Sequence, residues 1–152
     1  PTPEGPAILL PRLEDLRALP LQGESLLLAI GARQLAQAVA CSPGARHHAR
    51  LLPSAHSLQQ AMAAGLGPER VACLRPGAGV EVEWALLRRW RIGTVLARQS
   101  GGSTEHLWRH LCSRAGLRLL LLARPPEPEG SELLTQGALL EALDALLAAP
   151  GL

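Results

Sequence analysis

The chain contains no lysine, asparagine, phenylalanine or tyrosine. With only three tryptophans, its core has to be aliphatic, built mainly from Leu and Ala. The lack of lysine makes every fixed positive charge an arginine, 15 in all. A GC-rich genome favours that codon usage, yet the chemistry follows regardless. A guanidinium offers planar, two-pronged contacts to carboxylates and phosphates that an ammonium does not. Against 13 acidic residues the net charge is +2, too small to argue for nucleic acid or a membrane surface as partner. Long apolar runs are also lacking: residues 117–123 are far too short for the roughly 20 residues a bilayer crossing needs. Cysteine is scarce, with Cys41, Cys73 and Cys112 far apart. That pattern excludes a disulfide framework or a spaced zinc site and predicts reduced thiols in a cytoplasmic protein.

What is present is a globular composition, 47% hydrophobic and 18% charged over 152 residues, enough for one domain with a real core. No signal-peptide pattern stands at the start, and the first residue is Pro rather than Met, so we read the chain as a processed or cropped piece. Residues 1–12 read as a linker and 13–149 as a single domain, with a short helix over 13–19 leading in. Strand-like runs at 25–30, 48–52, 70–74, 92–97 and 117–123 then alternate with helical stretches at 32–40, 58–64, 80–90 and 104–115. A final amphipathic stretch over 131–148 carries Leu139, Leu140, Leu143, Leu146 and Leu147 along one face. Ser57 with Gln60 matches a capping box, Gly65 to Pro68 a helix stop, and Gly116 another. Strands alternating with helices predict a Rossmann-like three-layer α/β domain: a five-stranded parallel sheet with helices on both faces.

The ends of the predicted strands share a chemistry. They run into Gly31 and Arg33, Arg50, Arg75, Arg98 and Arg124. In a parallel sheet these ends lie on one edge, where α/β proteins bind ligands. The fourth end is the most informative, because Ser100-Gly101-Gly102-Ser103-Thr104 leads straight into a helix. The unpaired N–H groups and positive dipole end of a helix start make an anion site. The glycines let backbone approach a ligand, and Ser103 or Thr104 could cap the helix. Gly31, Arg33, Arg50, Arg98, Ser100, Gly101, Gly102, Ser103, Thr104 and Arg124 are therefore the candidate binding residues for a ligand with several carboxylates or phosphates.

Blocks in order along the chain resemble the precorrin-6A reductase family of cobalamin biosynthesis. Leu27 to Leu35 is similar to the family's apolar strand ending in a Gly turn, and Ala49-Arg50-Leu51-Leu52-Pro53 to its Arg-Val-x-Pro strand. Pro76-Gly77 with Glu83-Trp84-Ala85-Leu86-Leu87 resembles its Gly-Pro loop and Glu-x-Ala-Leu-Leu helix. Arg98 to Glu105 resembles its Lys-(Asn/Asp)-Ser-Gly-Gly signature, and Arg124-Pro125 its closing Arg-Pro. Arg98 replaces the family's Lys and keeps the charge. A second family Lys, early in the next helix, has no counterpart here beyond His106 or Trp108. Members have two Rossmann-like halves, and the Gly-Gly-Thr loop of the N-terminal half is not found in this chain. The resemblance thus implies the C-terminal half of an NADPH-dependent reductase acting on one double bond of a precorrin-type tetrapyrrole, with the missing N-terminal half-domain as partner. By itself the fragment is expected to be inactive.

The remaining chemistry-bearing residues read as structural. His106 and His110 lie one helical turn apart but lack a carboxylate or Cys in register, so no metal is expected. The tryptophans suit packing on the sheet, with Trp108 also placed to stack on a ligand. Without a visible catalytic base, the rival reading is a non-catalytic Rossmann-like module that binds an anionic ligand.

Overall fold

A computed structural model describes residues 6–75 and 79–124. The predicted 131–148 helix and Pro76-Gly77 lie outside them. Six parallel strands form one sheet: β1 (Ala7–Leu10), β2 (Ser25–Ala29), β3 (Arg46–Leu51), β4 (Val71–Cys73), β5 (Thr94–Arg98) and β6 (Arg118–Leu122), in the order β1-β6-β5-β2-β3-β4. Four α-helices connect them: α1 (Leu35–Cys41), α2 (Ala55–Ala63), α3 (Val80–Arg89) and α4 (Ser103–Ala115). A 3-10 helix, Leu13–Ala18, follows β1, and another, Pro68–Arg70, precedes β4.

The sheet has six strands rather than the expected five. The added strand, β1, falls inside the stretch read as linker. Its four apolar residues lie between Pro6 and Pro11, so the prolines masked the signal. Such a flank is tolerated because, among the described residues, β1 is an edge strand bonded only to β6.

Strand alternation divides the core in two. Leu26, Leu28, Ala49, Leu51, Leu96, Leu120 and Leu122 pack with the first 3-10 helix, α1 and α2. Leu27, Val95, Ala97, Leu119 and Leu121 pack with α3 and α4 through Leu87, Trp108 and Leu111. Central strands therefore read as unbroken Leu and Val because both faces are covered. Trp108 is fully buried in the second layer, which excludes stacking on an outside ligand; Trp84 and Trp90 pack at its margin.

Local signals held with small shifts. Helix α2 starts earlier than expected, because Ser54 rather than Ser57 is the N-cap and its Oγ accepts the Ser57 N–H at 3.0 Å. Gly116 ends α4 in the left-handed conformation, φ 69°. All three cysteines are free thiols, and burial pushes the Cys112 pKa up to about 12.

Candidate functional site

Because every strand is parallel, all the candidate residues sit at one edge of the sheet. The strand order reverses between β2, which feeds α1 on one face, and β5, which feeds α4 on the other. That pair of strand ends is the topological switch point, where open α/β sheets take ligands. The candidate residues form three separate groups there.

The first group is the β5–α4 loop with Arg124. Gly101 has φ 71°, a conformation other residues adopt only with strain. Helix α4 takes Gly102 as its N-cap and has no side-chain cap, so neither Ser103 nor Thr104 caps it; both lie exposed in the first turn. The loop satisfies part of itself. The Gly101 N–H donates to Glu105 Oε1 at 3.0 Å, and the Gly102 N–H to Ser100 Oγ at 3.2 Å. The Gly101 bond, and then Arg109 bonded to Oε2 at 2.9 Å, hold the Glu105 carboxyl below its usual pKa. Arg124 donates from Nε to the Gln99 carbonyl at 3.3 Å. A Cβ on Gly101 would stand 3.4 Å from its Nη2, so the bare backbone and the guanidinium are close neighbours. Beside the loop an open groove of about 540 Å³ is lined by Gly101, Gly102, Ser103, His106, Leu107 and His110.

The second group clamps the switch point. Arg98 closes β5 and turns to the α1 face. It donates from Nε to the Ile30 carbonyl at 3.0 Å and from Nη2 to Gln34 Oε1. It thereby ties the β5 end to the turn after β2, where Gly31 has φ 85° and Arg33 is exposed. Arg98 also lines a hollow of about 270 Å³ with Arg12, Gln34 and Gln37.

The third group lies on the α3 face. Arg50, next to last in β3, donates from Nε to Glu83 Oε1 at 2.6 Å. Glu83 is buried in α3, with its side chain 4% exposed against 18% for Arg50.

The structure thus gathers Ser100–Thr104 with Arg124 and joins Arg98 to the Gly31 turn, but it sends Arg98 and Arg50 to opposite faces. Sequence reading missed Glu83, Glu105 and Gln34, the side chains that engage these arginines and amides. The available signal for the acids was position: both occur in the opening turns of helices that follow strand ends. Among the described residues no group of three or more His, Cys, Asp or Glu could hold a metal. No helix there is long and apolar enough to cross a membrane.

Comparison with known proteins gives the chain a family. A family model described as precorrin-6x reductase CbiJ/CobK matches residues 4–146. The chain is 36% identical over 106 residues to a cobalt-precorrin-6A reductase of Synechocystis sp., covering 69% of this chain and 41% of that protein. It is 27% identical over 106 residues to a cobalt-precorrin-6A reductase of Methanothermobacter thermautotrophicus, covering 68% of this chain and 34% of that one. A solved structure described as CobK precorrin-6A reductase superposes with a TM-score of 0.64 at 25% identity, over 84% of this chain and 50% of its own. The chain therefore spans less than half the length of these curated relatives. Matched along nearly all of its length, it belongs to the precorrin-6x reductase CbiJ/CobK family.

Proposed function

We propose that this chain is the C-terminal half of an NADPH-dependent precorrin-6A or cobalt-precorrin-6A reductase, and that its strand-end edge binds the polycarboxylate tetrapyrrole, NADPH, or both. The observation that carries this reading is the concentration of guanidinium groups at one edge of a parallel sheet. Arg33, Arg50, Arg98 and Arg124 stand along it in separate groups, with Arg124 beside the start of α4. Family membership supports the substrate class.

Residues for an anionic group are in place. The N–H groups of Ser103, Thr104 and Glu105 open α4 without a capping side chain, which suits a phosphate. Arg124 stands over the same loop as a charged partner. When bound, NADPH supplies the hydride. This chain's residues then hold and orient the two reactants, with Arg98 fixing the two strand ends between them. The N-terminal half-domain would form the opposite wall of the cleft, in a cytoplasmic enzyme.

The test is turnover in the full-length protein. Loss of NADPH absorbance is expected on adding precorrin-6A or its cobalt form, and both ligands should bind. Removing the charge with Arg98→Ala or Arg124→Ala should weaken binding of one ligand by about 1–3 kcal/mol. Binding of neither a tetrapyrrole polycarboxylate nor NADPH would sink the reading. Binding without turnover would leave a non-catalytic module.

A further inference from the structure

Arg50 differs from the other candidate arginines in how it is held. Its partner Glu83 is 33 residues away, on a different element, and buried. The contact runs through Nε alone. Glu83 Oε2 is buried with no partner among the described residues, so the carboxylate grips one edge of the guanidinium and the rest of it is left over. A guanidinium held this way keeps its terminal nitrogens as a fixed fork, the geometry that takes a carboxylate with two parallel hydrogen bonds.

Its neighbours on the sheet are small. On the same face, Arg50 pairs in register with Ala72 of β4. The adjoining register, Leu28 with Ala49, places Ala29 of β2 on its other side, and Ala29 in turn pairs with Ala97 of β5. Ala29, on the interior strand β2, and Ala72, on the edge strand β4, are both only partly buried. Solvent therefore reaches the sheet face beside Arg50 at the ligand-binding edge.

We infer that Arg50, flanked by Ala29 and Ala72, is a carboxylate subsite, with Glu83 as its positioning residue, and that it receives an acetate or propionate side chain of the tetrapyrrole. The inference rests on the substrate reading above and adds to it a named subsite and a division of labour. Arg50 reads a substrate carboxylate on the α3 face, while the β5–α4 loop is left to the other anion.

The roles predict different behaviour for two changes at one position. Glu83→Gln keeps an oxygen for the Arg50 Nε–H, so the fork stays in place. It also removes a negative charge that competes with the incoming carboxylate. Glu83→Ala releases the fork. Arg50→Lys keeps the charge but has no planar fork to offer a ligand carboxylate two parallel hydrogen bonds while bonded to Glu83.

The test is equilibrium binding of uroporphyrin, a tetrapyrrole polycarboxylate, to the full-length protein by tryptophan quenching, with NADPH titrated in parallel and Tm recorded. Glu83→Ala and Arg50→Lys should raise the uroporphyrin Kd about tenfold, Glu83→Gln should stay within about threefold of the parent or bind tighter, and NADPH should not respond. If Glu83→Ala does not fold, Arg50→Lys and Glu83→Gln decide alone. An unchanged uroporphyrin Kd in Glu83→Ala or Arg50→Lys, a Gln variant as weak as the Ala one, or an equal loss for NADPH overturns the subsite while the substrate reading stands. A parent protein that binds no uroporphyrin overturns both.

Discussion

Two acids stand at the same edge of the sheet, and they do opposite things. Glu105 is on the outer turn of α4 and occupies the Gly101 N–H, a donor the loop would otherwise offer to a ligand. Glu83 is buried and holds Arg50 in place through its Nε. One carboxylate stands where an anion would bind and can be displaced into water at small cost. The other is part of the wall. The difference is one of degree of burial: the Glu105 side chain is 14% exposed and that of Glu83 4%. A partly exposed pair near water is worth about 0–1 kcal/mol, whereas a buried charge stripped of its partner cannot be rehydrated.

The largest effect should come from Arg50→Ala, which strands the Glu83 carboxylate in the interior. A loss of about 3 kcal/mol is expected, or roughly 6–12 °C in Tm for a domain of this size. A change under 1 °C in a thermal melt would mean that Glu83 has another partner, and the contrast with Glu105 would collapse.

Next are the two glycine turns. Gly31→Ala should cost about 1–2 kcal/mol from the left-handed backbone alone, since the added Cβ meets nothing within 4 Å. Gly101→Ala should cost a similar amount and also set a methyl group against Arg124 Nη2, at 3.4 Å, where it would stand between the guanidinium and the loop; it should weaken anion binding at the loop as well. Equal effects of the two on ligand Kd would show that Arg124 does not serve that loop.

The pH response separates the regions further. Burial, above all, holds the pKa of His47 and His48 below 6.5, so both stay neutral in the fold while the unfolded chain protonates more readily. Their share of stability is complete above pH 6.5 and declines as pH falls below it. Glu105 is also depressed, so its share is complete above about pH 4.5 and is lost only as pH falls through its lower folded value. Melts from pH 7.5 downward should therefore lose stability first through the histidines of β3. Replacing them (His47→Gln with His48→Gln) should flatten that first decline, and its persistence would rule them out as the cause.

The smallest effect should be on Glu105→Ala: about 0.5 kcal/mol of stability, read by denaturant titration, with tighter inorganic phosphate or NADPH binding of about threefold. The opposite sign from Glu83→Ala is the sharpest form of the comparison. If both acids weaken binding when removed, Glu105 is a ligand support rather than a stand-in.

Much of the frame was legible in the sequence because its signals are local. Apolar runs bounded by glycine and arginine located five strands, and Gly116 and Gly65 marked where helices stop. Strand β1 escaped because four apolar residues between prolines carry no period, and only pairing with β6 makes them a strand. The Ser100–Thr104 loop was visible for the same local reason, as strand, glycines and helix in succession.

The occupancy of that loop was not visible, nor were the faces of the arginines. By itself the sequence determined an alternating α/β chain with arginine at its strand ends and a glycine turn before α4. Tertiary structure decided that Arg98 clamps the β2 turn on one face, that Arg50 meets a buried carboxylate on the other, and that strand order puts the reversal between β2 and β5. Composition and spacing act along the chain, whereas these pairings depend on register and on which helix covers which face, distances that close only when the sheet is assembled.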